Sequence, residues 1–207
     1  MLSEVDLAAP PLERRVQLAG AASRRGYDPR SPGVRRIAAD VSRFLDGPAA
    51  RRLARAAAAG RLRREVPFLL RLQGDGVPAC YLTGAIDALL EERGGLTVID
   101  FKYALARPGA ADRYRLQLVA YALAAARAFP GQRVSATLQF LRGGCAEVDL
   151  TPSGAELGRF AREAPRLAQA VHAGDGFATA PAALGRDASR CRAEGCGYFA
   201  RCFPDHG

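Results

Sequence analysis

Tyr81-Leu82-Thr83-Gly84-Ala85-Ile86-Asp87-Ala88-Leu89-Leu90 runs through Glu91-Glu92-Arg93-Gly94-Gly95 into Leu96-Thr97-Val98-Ile99-Asp100-Phe101-Lys102. Two apolar runs flank a glycine-bearing break, a pattern that predicts a β-hairpin. Centring the turn on Arg93-Gly94 sets Glu92 against Gly95, and counting back sets Asp87 against Asp100. Strand side chains alternate, so Ala85, Asp87 and Leu89 share a face with Leu96, Val98, Asp100 and Lys102. Ile86, Leu90, Ile99 and Phe101 take the other face. Both faces are largely apolar, as expected of a sheet covered on both sides. A one-residue slip would put the two aspartates on opposite faces.

Of the 30 lysines and arginines, Lys102 is the single lysine. An ammonium is a compact point charge on a flexible stem, unlike a guanidinium. Two opposed carboxylates repel, and charges on a covered sheet are costly unless paired or bound to metal. Asp87 and Asp100 beside one ammonium therefore suit a divalent cation held by hard oxygen ligands, Mg²⁺ or Mn²⁺. Downstream, Tyr114-Arg115-Leu116-Gln117-Leu118-Val119-Ala120-Tyr121-Ala122-Leu123 opens a helical run to about Phe129. Gln117 and Tyr121, four apart, share one helix face. Leu116, Val119, Ala120 and Leu123 are expected to form the apolar stripe beside them.

The order Gly84-x-x-Asp87, Asp100-Phe101-Lys102, Gln117-x-x-x-Tyr121 resembles the motif series of RecB-like nucleases of the PD-(D/E)XK superfamily. That group includes the nuclease domains of AddA/AddB-type helicase–nucleases. The segment Arg64-Glu65-Val66-Pro67-Phe68 is similar to the strand preceding the Gly-x-x-Asp motif in AddA-type domains, and the likeness spans about Ile37 to Phe203. The resemblance implies an α/β, restriction-endonuclease-like core with a mixed central sheet flanked by helices. It implies a metal-dependent deoxyribonuclease, an exonuclease acting on DNA single strands or ends in recombinational repair beside a helicase. Asp87 and Asp100 would ligate the metal, with the Phe101 carbonyl as a further ligand. Lys102 would stabilise the attacking hydroxide, and Gln117 and Tyr121 would contact the phosphate backbone.

The tail carries Cys191, Cys196 and Cys202 within twelve residues. With no signal peptide evident, metal or cluster ligation is a better expectation than disulfides. Family members often hold a [4Fe–4S] cluster with such a triad and a fourth, upstream cysteine. No cysteine precedes Cys80, and Cys80 and Cys145 read as structural. Zinc completed by His206, or a reduced thiol tail, are the alternatives. Relatives also open with a helix bearing a Gly…His…Glu motif whose histidine is a metal ligand, whereas His172 and His206 both lie downstream of the core. The expectation is that this first motif is lacking, as in the C-terminal part of a larger nuclease domain, with Glu65 a substitute ligand or a support for its strand. A non-catalytic DNA-binding or interaction domain is the alternative function.

The formal net charge of +9 favours a polyanionic partner. Arg51, Arg52, Arg55, Arg61, Arg63 and Arg64 are placed on one helical stretch, as a wall of a DNA channel. No apolar run is long enough to span a membrane, so the chain reads as cytoplasmic. Residues 1–33, punctuated by Pro and Gly, are expected to be poorly anchored; 34–173 form the nuclease core, and 174–207 a loop and the cysteine tail. Val34, Ile37, Ala38, Val41, Phe44 and Leu45 mark a helix, and Pro48 starts another. Strands are expected near 66–72, 79–91, 95–102, 133–142 and 145–150, then a helix from Ser153 to about His172. Ser153 with Glu156 has capping-box spacing.

Overall fold

The computed structural model describes residues 2–109, 111–173, 188–193 and 203. The chain divides into two compact units, Met1–Arg71 with Tyr81–Ala161, and Leu72–Cys80 with Arg162–Gly207. Five strands form one sheet in the order β1 (Leu62–Leu72), β2 (Cys80–Glu92), β3 (Gly95–Leu105), β4 (Val134–Arg142) and β5 (Glu147–Asp149). β2 pairs antiparallel with β3, β3 parallel with β4, and β4 antiparallel with β5. This is the mixed α/β sheet, flanked by helices, of a restriction-endonuclease-like fold.

The hairpin has the expected register, from Glu92↔Gly95 to Ala88↔Ile99. Glycine at 95 is required twice over. Its φ is +135°, and a Cβ there would lie 2.1 Å from the Arg133 carbonyl oxygen that accepts from Leu96 N–H. A parallel β3–β4 pair needs a crossover. Helix α4 (Arg115–Ala128) supplies it and packs on both strands.

Two cores cover the sheet. One gathers Leu118, Ala122 and Ala125 of α4 against Leu89, Leu96, Val98, Ala136 and Leu138. The other packs α2 (Pro32–Leu45) and α3 (Pro48–Ala58), through Val41, Phe44, Leu45 and Leu53, against Ala88, Leu90 and Ile99. Ser31 caps α2, its Oγ accepting from Val34 N–H. At the start of α5 (Gly154–Ala173), Ser153 Oγ accepts from Glu156 N–H and Glu156 accepts from Ser153 N–H, so the capping box forms. No described helix is long and apolar enough to cross a membrane.

Three expectations are corrected. The N-terminal segment is anchored: α1 (Pro11–Arg24) buries Leu18, Ala21 and Ala22, and Val5 and Leu7 join the core. Buried Arg14 donates to the Leu45 carbonyl at 2.7 Å and to Asp46 at 2.8 Å, tying α1 to the end of α2. An interface built on alanines and one buried arginine has no strong apolar stripe to read. On α4, Leu116 is 61% exposed, because the sheet-facing stripe is Leu118, Ala122 and Ala125. Ile86 packs with Leu89 and Val98 rather than with Leu90, so the alternation of β2 is interrupted beside Asp87.

Candidate active site

The antiparallel ladder is registered as far as Ala88↔Ile99. One step further, the Asp87 carboxylate takes over, its Oδ2 accepting from Phe101 N–H at 2.8 Å. Asp100 sits in the middle of β3 and is 1% exposed. Lys102, two residues on, brings its Nζ to 2.8 Å from Asp100 Oδ2. Oδ2 is thus ion-paired with Lys102, while Oδ1 is buried with no hydrogen bond among the described residues. Native proteins seldom leave buried carboxylate oxygens so, and a cation is the partner that satisfies them.

Burial raises the Asp100 pKa above the ordinary carboxylate range; the Lys102 ammonium draws it back and the Asp87 charge pushes it further up. Burial also raises Asp87, against the Phe101 N–H and the Lys102 charge, with Glu65 adding to the rise. Among the described residues, no three His, Cys, Asp or Glu side chains gather into a metal-binding group. The pair Asp87 and Asp100 is nonetheless the donor set that hard divalent cations take.

Helix α4 holds the ammonium from the other side. Gln117 Oε1 accepts from Lys102 Nζ at 3.0 Å, and Gln117 Nε2 donates to the Tyr121 hydroxyl at 2.8 Å. The Tyr114 ring lies 4.9 Å from Lys102 Nζ, a cation–π contact. Asp87, Asp100, Lys102, Gln117 and Tyr121 thus come together on the α4 face of the sheet. The proposed ligands Cys191, Cys196 and Cys202 are a different matter. Cys191 falls in the short helix α6 (Ala188–Ala193), but its side chain, Cys196, Cys202 and His206 lie outside the described residues.

Phe68 and Tyr114 take part as well, though the sequence assigns neither a role in the site. Phe68 on β1 meets the Tyr121 ring edge to face, centroids 5.6 Å apart. A Cβ on Gly84 would sit 2.8 Å from the Phe68 ring and 3.7 Å from the Tyr121 ring. The glycine of Gly84-x-x-Asp87 therefore makes room for an aromatic that braces the Gln117–Tyr121 pair. Tyr114 reads in the sequence only as the start of a helix. Glu65 is exposed, and its φ of +49° is unusual for a non-glycine residue in a strand. The arginine run is also sorted differently: Arg61 to Arg64 lie at the start of β1, not on a helix. Arg52 pairs with Glu92 and Glu147, and Arg64 donates to the carbonyls of Val5 and Leu2.

Several bacterial proteins resemble the chain in part. An ATP-dependent helicase/nuclease subunit of Bacillus cereus (strain Q1) is 30% identical over 146 residues, 60% of this chain and 11% of the relative. Its counterpart in B. cereus (strain B4264) is 36% identical over 87 residues, 32% of the chain and 7% of the relative. The counterpart in Bacillus mycoides (strain KBAB4) is 34% identical over 104 residues, 41% of the chain and 8% of the relative. The chain thus spans no more than 11% of the length of these curated relatives. The crystal structure of SSO0001 aligns with a TM-score of 0.38 at 17% identity, over 78% of this chain and 73% of that one. The family model of the PD-(D/E)XK nuclease superfamily matches residues 3–203, nearly the whole chain, and the chain belongs to that superfamily.

Proposed function

We propose that this domain is a divalent-cation-dependent deoxyribonuclease that hydrolyses phosphodiester bonds at single strands or ends of DNA, an exonuclease working beside a helicase in recombinational repair in the cytoplasm. The observation that carries the reading is the buried Asp100, its Oδ2 ion-paired with Lys102 and its Oδ1 without a hydrogen bond, next to Asp87. The helicase association is supported by the names of the partial relatives, and the DNA substrate by the motif resemblance alone. Asp87 and Asp100 would hold Mg²⁺ or Mn²⁺, with the Phe101 carbonyl as a further ligand. A bound divalent cation supplies Lewis acidity, lowering the pKa of water and neutralising phosphate charge.

The chain's own groups do the rest. Water attacks phosphorus, the P–O bond to the leaving nucleotide breaks, and the proton ends on the departing oxygen. Lys102 places its ammonium against the charge that builds on the phosphoryl oxygens. Gln117 holds that ammonium by its Oε1. The Tyr121 hydroxyl accepts from Gln117 and keeps its own proton for a backbone phosphate. For the tail, we propose Cys191, Cys196 and Cys202 as ligands of a [4Fe–4S] cluster or of zinc, supported by their spacing alone. Iron and zinc analysis of the full chain separates the two.

The test is cleavage of end-labelled single- and double-stranded DNA with Mg²⁺ or Mn²⁺. Lys102→Ala and Asp100→Asn are each expected to lower the rate by about 10²-fold or more. A second reading, a non-catalytic DNA-binding domain, is favoured by the want of a third carboxylate or histidine in the described site. DNA binding with no cleavage in either metal would select it.

A further inference from the structure

A pocket of about 180 Å³ opens beside β1, floored by Leu89 and Leu96 and walled by Arg61, Arg63, Phe129 and Gln132. Leu96 is four residues from Asp100 on β3, and Leu89 two from Asp87 on β2, so their side chains leave the same sheet face. At a rise near 3.3 Å per residue, the pocket lies about 7–13 Å along the strands from the aspartates. Helix α4 spans that interval, with Gln117 and Tyr121 at one end and Phe129 just past the other.

The two arginines differ from their neighbours. Arg52 and Arg64 are fixed by carboxylates and carbonyls. Arg61 and Arg63 are exposed, and neither makes an ion pair within 4 Å among the described residues. Arg61 reaches Glu92 only through its field, and Arg63 rests on the Phe129 ring with 5.2 Å from guanidinium carbon to centroid. Glu91 also lines the pocket, leaving it one positive charge in excess. Two forked donors with no carboxylate within 4 Å among the described residues, one of them resting on an aromatic ring, and one amide over an apolar floor match a backbone phosphate of a single strand. The volume is below that of pockets for drug-sized ligands, about 300 Å³ and up, and suits one nucleotide's base or phosphate.

We infer that this pocket is a substrate subsite, seating a backbone phosphate within a few nucleotides of the scissile phosphate of a single-stranded nucleic acid. Arg61 and Arg63 hold that phosphate, and Phe129 braces the Arg63 guanidinium. The inference rests on the nuclease reading and deepens it.

The test compares the full chain with Arg61→Ala/Arg63→Ala, with Phe129→Leu and with Arg35→Ala, an exposed arginine on α2 outside the pocket. Each is titrated with a labelled twelve-nucleotide oligo(dT), in Ca²⁺, at several salt concentrations. The double variant is expected to bind about tenfold or more weakly, with a salt dependence shallower by about one to two ions. Phe129→Leu should lose about threefold through its hold on Arg63, and Arg35→Ala less than about twofold. Mn²⁺-dependent hydrolysis of bis(4-nitrophenyl) phosphate, too small to reach the pocket, should be unchanged in all three. Equal loss in the double variant and Arg35→Ala, after allowing for two charges against one, would overturn the subsite, as would unchanged affinity and salt slope. Failure of the unaltered chain to cleave either substrate, with the pocket's effect on binding intact, would overturn the nuclease reading alone.

Discussion

At Lys102 three groups act on one ammonium: Asp100 from its own strand, Gln117 from α4 and the Tyr114 ring. The brace behind them runs outward through Tyr121 and Phe68 to the bare backbone of Gly84. The links run along α4 from Gln117 to Tyr121 and then across to Phe68 on β1 and Gly84 on β2, so a change at the far end reaches the ammonium. Gly84→Ala puts a methyl 2.8 Å from the Phe68 ring, which must move and take the Tyr121 contact with it. Such overpacking costs about 1–3 kcal/mol. DNA cleavage is expected to fall more than a simple stability loss explains, and Phe68→Leu in the same chain should recover part of both. Urea unfolding and cleavage rates of the single and double variants check this. Phe68→Leu giving no recovery would break the proposed chain of contacts.

Among the elements, α4 and α5 are tied at their starts by one carboxylate. Glu156 closes the α5 capping box with Ser153 and grips Arg115, the first residue of α4, by two short bonds of 2.7 and 2.6 Å. The Arg115 guanidinium holds the Glu156 carboxyl below its ordinary range. Ser153→Ala should remove the cap alone and cost about 1 kcal/mol. Glu156→Ala keeps that cap, whose donor is its backbone N–H, and removes the other half of the box together with the Arg115 pair, so it is expected to lower the melting midpoint and to loosen the turn that carries Gln117. Thermal melting of both variants, with cleavage measured alongside, separates the effects. A Glu156→Ala midpoint equal to that of the unaltered chain would mean that the Arg115 pair contributes nothing.

For the domain as a unit, the buried aspartates set a dependence on pH. Burial holds Asp100 and Asp87 above the ordinary carboxylate range. An acid with a raised folded-state pKa favours the fold in its protonated form. Its contribution is fully present below the unfolded value of about 3.9 and is lost as pH rises through the raised folded values. Near neutral pH the ion-free domain thus carries a destabilising pair. Asp100→Asn is expected to melt higher than the unaltered chain at pH 7 without divalent ions, by about 2–4 °C for each kcal/mol relieved. The difference should shrink as pH falls toward about 4. Adding Mn²⁺ should raise the melting temperature of the unaltered chain and do less for Asp100→Asn, because binding to the folded state alone stabilises it. Scanning calorimetry across that range checks both signs. Identical melting at every pH would mean that Asp100 bears no buried charge.

The sequence by itself determined the hairpin register, the strand–strand–helix order and the capping box. Each depends on residues close in the chain: turn glycines, period-two alternation, and a serine three residues before a glutamate. It also placed Asp87, Asp100 and Lys102 on one face, since alternation along two paired strands needs no distant partner. Tertiary structure decided what depends on distant partners. It gave α1 its anchor through Arg14, broke the alternation beside Asp87, and turned Gly84 into a seat for Phe68. It also left Arg61 and Arg63 free while fixing Arg52 and Arg64. Composition counts the arginines alike; only packing brings acceptors to some of them and a pocket to others.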